Sequence, residues 1–222
     1  MATNNALNNF SFPITIDPGA SGDSYIQFSI NTTGEFRVGI DDTASDAFKI
    51  SQGSALGTTD AFVMTAAGEA TKPLQPAFLA ITNGKEDGVT GDGTLYTVVW
   101  ATEIFDQNSD LSSGTFTAPV TGVYRLNTNI FYDDLTAAHT SSNVRITTSN
   151  RTYYGNTLNL GVWRVLNATQ DQANVKMESL ADMDAADTAV VQVQVSNGTK
   201  VVDVWSVGTG SPRAWFGGSL VC

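Results

Sequence analysis

Apolar and polar residues alternate in short runs along this chain, and turn residues interrupt every run. Ile26, Phe28 and Ile30 are separated by Gln27 and Ser29, and Phe36, Val38 and Ile40 by Arg37 and Gly39. Side chains of a strand point to opposite faces in turn, so this alternation builds half-buried strands and argues against amphipathic helices. Asn31-Thr32-Thr33-Gly34 joins the two runs and predicts a hairpin with a four-residue loop. Shorter strands are expected around Phe48 to Ser51 and Ala61 to Thr65, with turns at Asp41-Asp42, Gly53-Ser54 and Ala67-Gly68. This first unit is too small to bury a full core alone, so it is expected to pack against copies from neighbouring subunits.

Thr71 to Pro76 holds Pro73 and Pro76 and reads as a stiff linker. Beyond it the runs lengthen. Tyr96, Val98, Trp100 and Ile104 alternate along one expected strand, and Tyr124, Leu126 and Ile130 along the next. Val144 and Ile146 continue the pattern, as do Leu158, Leu160 and Val162. Val191, Val193 and Val195, then Val202 and Val204, then Ala214 to Val221 complete it. Roughly eight to ten strands with close turn signals predict a sandwich or jelly roll. Met177 to Ala186 carries a faint helical spacing but no caps, and is read as strand then loop. The expected organisation is an arm at 1–12, a small β module with linker at 13–75, and a head at 76–222.

Composition sharpens the class. Among 222 residues there are 20 Gly and only 6 Pro, which suits many tight turns rather than a collagen or a disordered tail. The net charge is -11, so no basic face is available for nucleic acid. No run approaches the roughly 20 apolar residues of a membrane span. Cys222 is the only cysteine, which excludes an intrachain disulfide and leaves stability to packing or oligomerisation. Met1 to Asn9 lacks the charge and the apolar stretch of a signal peptide. Synthesis in a host cytoplasm and release by lysis, as for a virion protein, fits that combination.

Two stretches resemble known families. Gly114 to Tyr124, with Phe116, Pro119, Gly122 and Tyr124 at the marked places, resembles the strand-turn-strand of the complement C-one-q globular head. Phe216, Gly218 and Leu220 in the closing segment resemble that family's last strand, and Leu180 to Val191, with Asp187, one of its acidic turns. The resemblance covers Pro76 to Val221. It implies an all-β, tumour-necrosis-factor-type jelly roll assembled as a homotrimer, with those motif residues in the fold and trimer core. In physical terms, Pro119 fixes φ and ends a strand, Gly122 is expected to allow a sharp return, and Tyr124 can bury its ring while its hydroxyl reaches backbone. The second stretch, Asp23 to Gly68, resembles a module common in bacteriophage tail-fibre and tail-spike proteins.

Candidate chemistry is sparse. The only histidine, His139, lies in the polar segment Thr136 to Ser142 and is expected to be a solvated loop residue. No G-x-S-x-G elbow accompanies it. Carboxylates pair at Asp133-Asp134, Asp182-Asp184-Asp187 and Asp106-Asp110, but in turn-like segments where Asp commonly bonds its own backbone. Asp41, Asp42 and Asp46, or Asp87 and Asp92, could offer oxygens to calcium, although neither set has EF-hand spacing. No zinc cluster or phosphate loop is present. Tyr153, Tyr154 and Trp163 flank expected loops and are the candidates for stacking on a ligand. Together these readings predict a binding protein rather than an enzyme: a short trimeric fibre or spike held to other virion proteins by its N-terminal arm. Its head is expected to contact a host cell-surface glycan or protein. A capsid decoration protein, a polysaccharide depolymerase and a soluble lectin are the alternatives.

Overall fold

The computed structural model describes residues 16, 18–19, 21–30, 34–53, 55–155, 157–166 and 171–222. The expected arm at 1–12 and the hairpin residues Asn31 to Thr33 lie outside them. The chain divides into two compact units, Met1–Leu74 and Gln75–Cys222.

The first unit is one antiparallel sheet in sequence order: β1 (Ser24–Ile30), β2 (Gly34–Asp41), β3 (Ala47–Gln52), β4 (Asp60–Met64) and β5 (Ala70–Thr71). Pairing between β1 and β2 runs to Ile30 opposite Gly34, so Gly34 belongs to the strand and not to the loop. Residues directly opposite share a face. One row across the sheet is Ile26, Val38, Ile50 and Phe62; beside it run Ile40, Phe48 and Met64 on one side and Phe28 with Phe36 on the other. This apolar face is the open one: Ile26, Phe28 and Ile30 are 51%, 58% and 74% exposed.

The other face carries Arg37, Lys49 and Ser51, and these are buried. Lys49 Nζ lies 2.8 Å from Asp41 and 2.9 Å from Asp60. Gly57, in the β3–β4 connection, lies against this cluster with φ +80, and a Cβ there would come 2.8 Å from Asp41 Oδ2. Only glycine combines that backbone with that approach. The Asp41 carboxyl, bonded by Lys49, is held below its ordinary range, and Lys49 is raised by the same contact.

The second unit is a jelly-roll sandwich. Its strands are β6 (Ala77–Ile81), β7 (Lys85–Thr90), β8 (Leu95–Thr97), β9 (Thr102–Gln107), β10 (Leu111–Ser112), β11 (Thr115–Thr117), β12 (Gly122–Asp133), β13 (Ser141–Thr148) and β14 (Thr152–Tyr154), followed by helix α1 (Leu160–Leu166). Then come β15 (Ala173–Met183), β16 (Thr188–Ser196), β17 (Val202–Trp205) and β18 (Trp215–Leu220). A seven-stranded sheet runs β7-β17-β12-β18-β6-β9 with β15 on the free side of β12. A six-stranded sheet runs β10-β11-β16-β13-β14 with β8 on β16. The chain passes from one sheet to the other repeatedly, as from β12 to β13, β14 to β15 and β15 to β16.

The expected single strand from Tyr96 to Ile104 is two strands in different sheets. β8 pairs with β16 and β9 with β6, and Val98 to Ala101 carries the chain across. Val98 and Trp100 therefore enter the core from a crossing segment. The core joins the sheets through rings: Phe78 stacks on Phe116 at 4.7 Å and meets Phe216 edge-on at 5.0 Å, while Phe116 lies 5.3 Å from Tyr124. Each such ring removes about 150–250 Å² from water.

The motif residues fall into this core. Phe116, Tyr124 and Phe216 are buried within a single chain, so their burial needs no second copy. The Tyr124 hydroxyl donates to Val120 O at 2.7 Å, across the corner that Pro119 opens. Gly122 does not have the positive φ that a sharp return would use. Its requirement is space: a Cβ would come 2.6 Å from Cys222 O and 2.7 Å from Leu220 Cδ1, where the C-terminus passes and Val123 N–H bonds Cys222 O at 2.8 Å. Gly218 likewise leaves room for the Phe78 ring, 2.7 Å from where its Cβ would stand.

Candidate functional site

The stretch Leu158, Leu160 and Val162 alternates as a strand would, but it opens a helix. Leu158 makes one bridge to Ser142, and Asn159 then accepts the Val162 N–H on its Oδ1 at 3.0 Å. That is an N-cap bond, and it turns the chain into α1. The helix is seven residues long and buries Leu160 and Gly161. Val162, Trp163, Val165 and Leu166 remain exposed, Leu166 by 77%. Helix and sheet edge enclose a groove of about 430 Å³ lined by Leu158, Leu160, Val162, Trp163, Leu166 and Ala173, with Asn159 and Asn174 as its polar groups. The indole N–H of Trp163 is used, donating to Gln172 O at 3.2 Å, which fixes the ring. A groove of this kind suits the apolar face of a sugar ring or an apolar side chain. It holds no acid–base pair.

Of the three sequence candidates for ligand stacking, the structure separates one from the other two. Trp163 lines the groove, whereas Tyr153 and Tyr154 do not. Both tyrosines lie on β14, an edge strand, and point to opposite faces. Tyr153 packs on the core and lies 3.4 Å from Asp182 Oδ1, with burial raising its phenol. Tyr154 faces outward beneath Arg145, whose guanidinium lies 5.8 Å from the ring centre.

His139 is not solvated. It is fully buried, its Nδ1 accepts the Thr136 N–H at 2.8 Å, and Nε2 lies 3.1 Å from Thr199 O. An acceptor at Nδ1 places the proton on Nε2, which donates to Thr199. A Cβ on Gly198 would come 2.3 Å from the ring and one on Gly91 3.0 Å. The histidine is a packed clamp between loops with no route to a substrate.

The carboxylates at Asp106-Asp110 and Asp182-Asp184-Asp187 are held by turn hydrogen bonds and one ion pair. Asp106 accepts the N–H groups of Asp110 and Leu111, Asp187 accepts from Asp184 N–H and Asn150, and Asp182 pairs with Arg151 at 2.9 Å. Of the calcium candidates, Asp92 is exposed and accepts the Thr94 N–H, while the Asp87 side chain is 81% exposed. They are not brought together. Among the described residues the one group of three carboxylates close enough to hold an ion is Asp133, Asp134 and Asp203. Lys85 already stands in it, 3.1 Å from Asp134 and 3.4 Å from Asp133, and bonded to the buried Asp203. Those contacts raise Lys85, and its ammonium supplies the cation that the site needs. Next to it on β7, Glu86 is pushed up to about 7 by burial, although the Tyr96 hydroxyl and Val99 backbone bond it.

No family model matches the chain, and no curated protein matches it. Among solved structures it is similar to murine APRIL at pH 8.5, with 10% identity, 66% of this chain and 99% of that chain covered, and a TM-score of 0.44. It is also similar to the globular domain of zebrafish complement 1qA protein, with 16% identity, 67% and 98% covered, and a TM-score of 0.43. By its own strand order the chain is an all-β protein: a single sheet followed by a jelly-roll sandwich.

Proposed function

We propose that this chain is a virion-surface fibre or spike protein, made in a host cytoplasm, whose sandwich head attaches the particle to a host cell-surface glycan or protein. The observation that carries the reading is the α1 groove. It places a fixed, half-exposed Trp163 beside exposed Val162 and Leu166, at the surface of a chain with net charge -11. Binding rather than catalysis is its chemistry, because no nucleophile or acid–base pair lines it. Copies self-associate as a homotrimer, so that three weak contacts act together. The first residues of the chain hold it to other virion proteins. The virion setting rests on the likeness of Asp23 to Gly68 to phage fibre modules and on the acidic, disulfide-free composition.

The test is binding of purified full-length chain to a glycan array and to bacterial cell envelopes, read beside Trp163→Ala. Saturable binding that falls at least tenfold in the variant is expected, since a central Trp commonly contributes about 2 kcal/mol or more to an interface. Equal binding by both chains would remove the groove as the contact. Absence of binding, together with particles that fall apart without the protein, would mark it as a decoration protein instead.

A further inference from the structure

The β1–β5 sheet is built inside out relative to an ordinary half-buried sheet. On its charged face Arg37, Lys49 and Ser51 are buried, with Lys49 paired to Asp41 and Asp60, and its apolar face is in water. Ten apolar residues dominate that face: Ile26, Phe28 and Ile30 on β1, Phe36, Val38 and Ile40 on β2, Phe48 and Ile50 on β3, and Phe62 and Met64 on β4, with Ser24, Gln52 and Ala70 at its margins. None of the ten is buried and none is charged. We propose that this face packs against the same face of two other copies of the chain, closing a three-sided β prism around a dry axis. The proposal rests on the self-association reading above and locates it in the first unit.

Three features select copies of this chain as the occupant. First, the face offers no charge to a different partner, and its polar groups are confined to Ser24 and Gln52 at its margins. Interfaces with transient partners are about as polar as ordinary surface, whereas those between permanent copies are more apolar. Second, the area fits. Four strands at about 4.8 Å spacing and about 20 Å length give roughly 400 Å² of flat face per copy. Two copies would cover about 800 Å², the range of crystal contacts, while three cover about 1,200 Å², the low end of stable interfaces. Third, the shape closes. Three sheets about 19 Å wide form a triangular prism whose sides lie about 5.5 Å from its axis, close to half the ~10 Å at which sheets pack face to face. The remainder of an acidic chain, net charge -11, repels its copies, so the uncharged face is where they can meet.

The experiment uses the full chain and light scattering. Wild-type chain is expected at about three chains in mass, and Ile26→Glu with Phe28→Glu at one chain. Both positions are more than half exposed in a single copy, so the substitutions leave each sheet its own contacts. Unchanged far-UV circular dichroism checks this. A direct probe accompanies it: Val38→Cys in a Cys222→Ser background is expected to cross-link chains on mild oxidation, and Tyr25→Cys, exposed on the opposite face, is not. If wild type is trimeric and the double variant stays trimeric, or if Val38→Cys gives no cross-link, the prism is overturned while self-association stands. A one-chain wild type overturns both, and leaves the face to be covered by the first fifteen residues or by another virion protein.

Discussion

In β12 the inward residues Tyr124, Leu126, Ile130 and Tyr132 are fully buried, while in β1 Ile26, Phe28 and Ile30 stand in water. The two strands have similar alternation and opposite outcomes. The difference lies in what faces them. β12 has a second sheet across a core of stacked rings, and β1 has none among the described residues. Alternation states that a strand has two kinds of face, but the presence of a second layer decides which face is dry. The first unit compensates with a buried ionic cluster, Lys49 between Asp41 and Asp60, where the head has hydrocarbon.

That contrast is sharpest in stability. Phe216→Ala empties the centre of the head's ring cluster and is expected to cost about 3–5 kcal/mol. Phe28→Ala, at concentrations where chains are separate, should cost within about 0.5 kcal/mol. Denaturant unfolding of dilute protein measures both. Equal losses would mean that the first sheet has a layer over it within one chain, and the contrast would be lost.

The ionic cluster makes the second contrast. Lys49→Met leaves the buried Asp41 and the part-buried Asp60 without their cation and is expected to cost the first unit about 3 kcal/mol, with the head unchanged. The sign of its pH dependence follows from its two groups. Asp41 is lowered when folded, so its contribution is present above the ordinary carboxylate range and fades as pH falls through the folded value. Lys49 is raised from 10.5, so its contribution is present below that value and fades only as pH rises past it. Between about pH 5 and 9 the first unit is therefore expected to have flat stability. A fluorescence or exchange probe placed in β3 would follow it, and a slope in mid-range would sink this account of the cluster.

The strands of both units were legible because each rests on local alternation, from Ile26 to Ile30 and again from Val191 to Val195. The failures share a physical cause. Leu158, Leu160 and Val162 obey the same alternation, but one side-chain bond from Asn159 was enough to start a helix. His139 sits in a polar loop by sequence, and its burial is produced by Gly91 and Gly198, distant in the chain and small enough to close on the ring. Lys85 meets Asp133, Asp134 and Asp203 only because β7, β17 and β12 are neighbours in the sheet. Asp133-Asp134 at the end of an apolar run was the available signal for that cluster, but nothing local named its cation. The Trp163 groove is half visible in the sequence: an aromatic beside an expected loop marks its place, but its helical wall comes from a segment that alternates like a strand, and Tyr153 and Tyr154 lie on β14 outside its lining.

The smallest effect separates the units by pH. Glu86 lies on β7 of the head with Oε2 buried and without a hydrogen-bond partner, and its carboxyl is pushed from 4.5 to about 7. A carboxyl raised on folding favours the proton in the folded state. The head's stability is therefore full below the ordinary value of 4.5, declines as pH rises, and levels out above about 7. With partial solvent access the decline is expected to be about 1–2 kcal/mol between pH 5 and pH 8. Glu86→Gln keeps a neutral group of the same shape and should flatten that slope, raising the head's urea midpoint at pH 8 and leaving it nearly unchanged at pH 5. The first unit, with its low Asp41 and high Lys49, should not respond at either pH. If wild type and Glu86→Gln run parallel across the range, Glu86 is solvated in solution, and both units draw their mid-range stability from groups that do not titrate there.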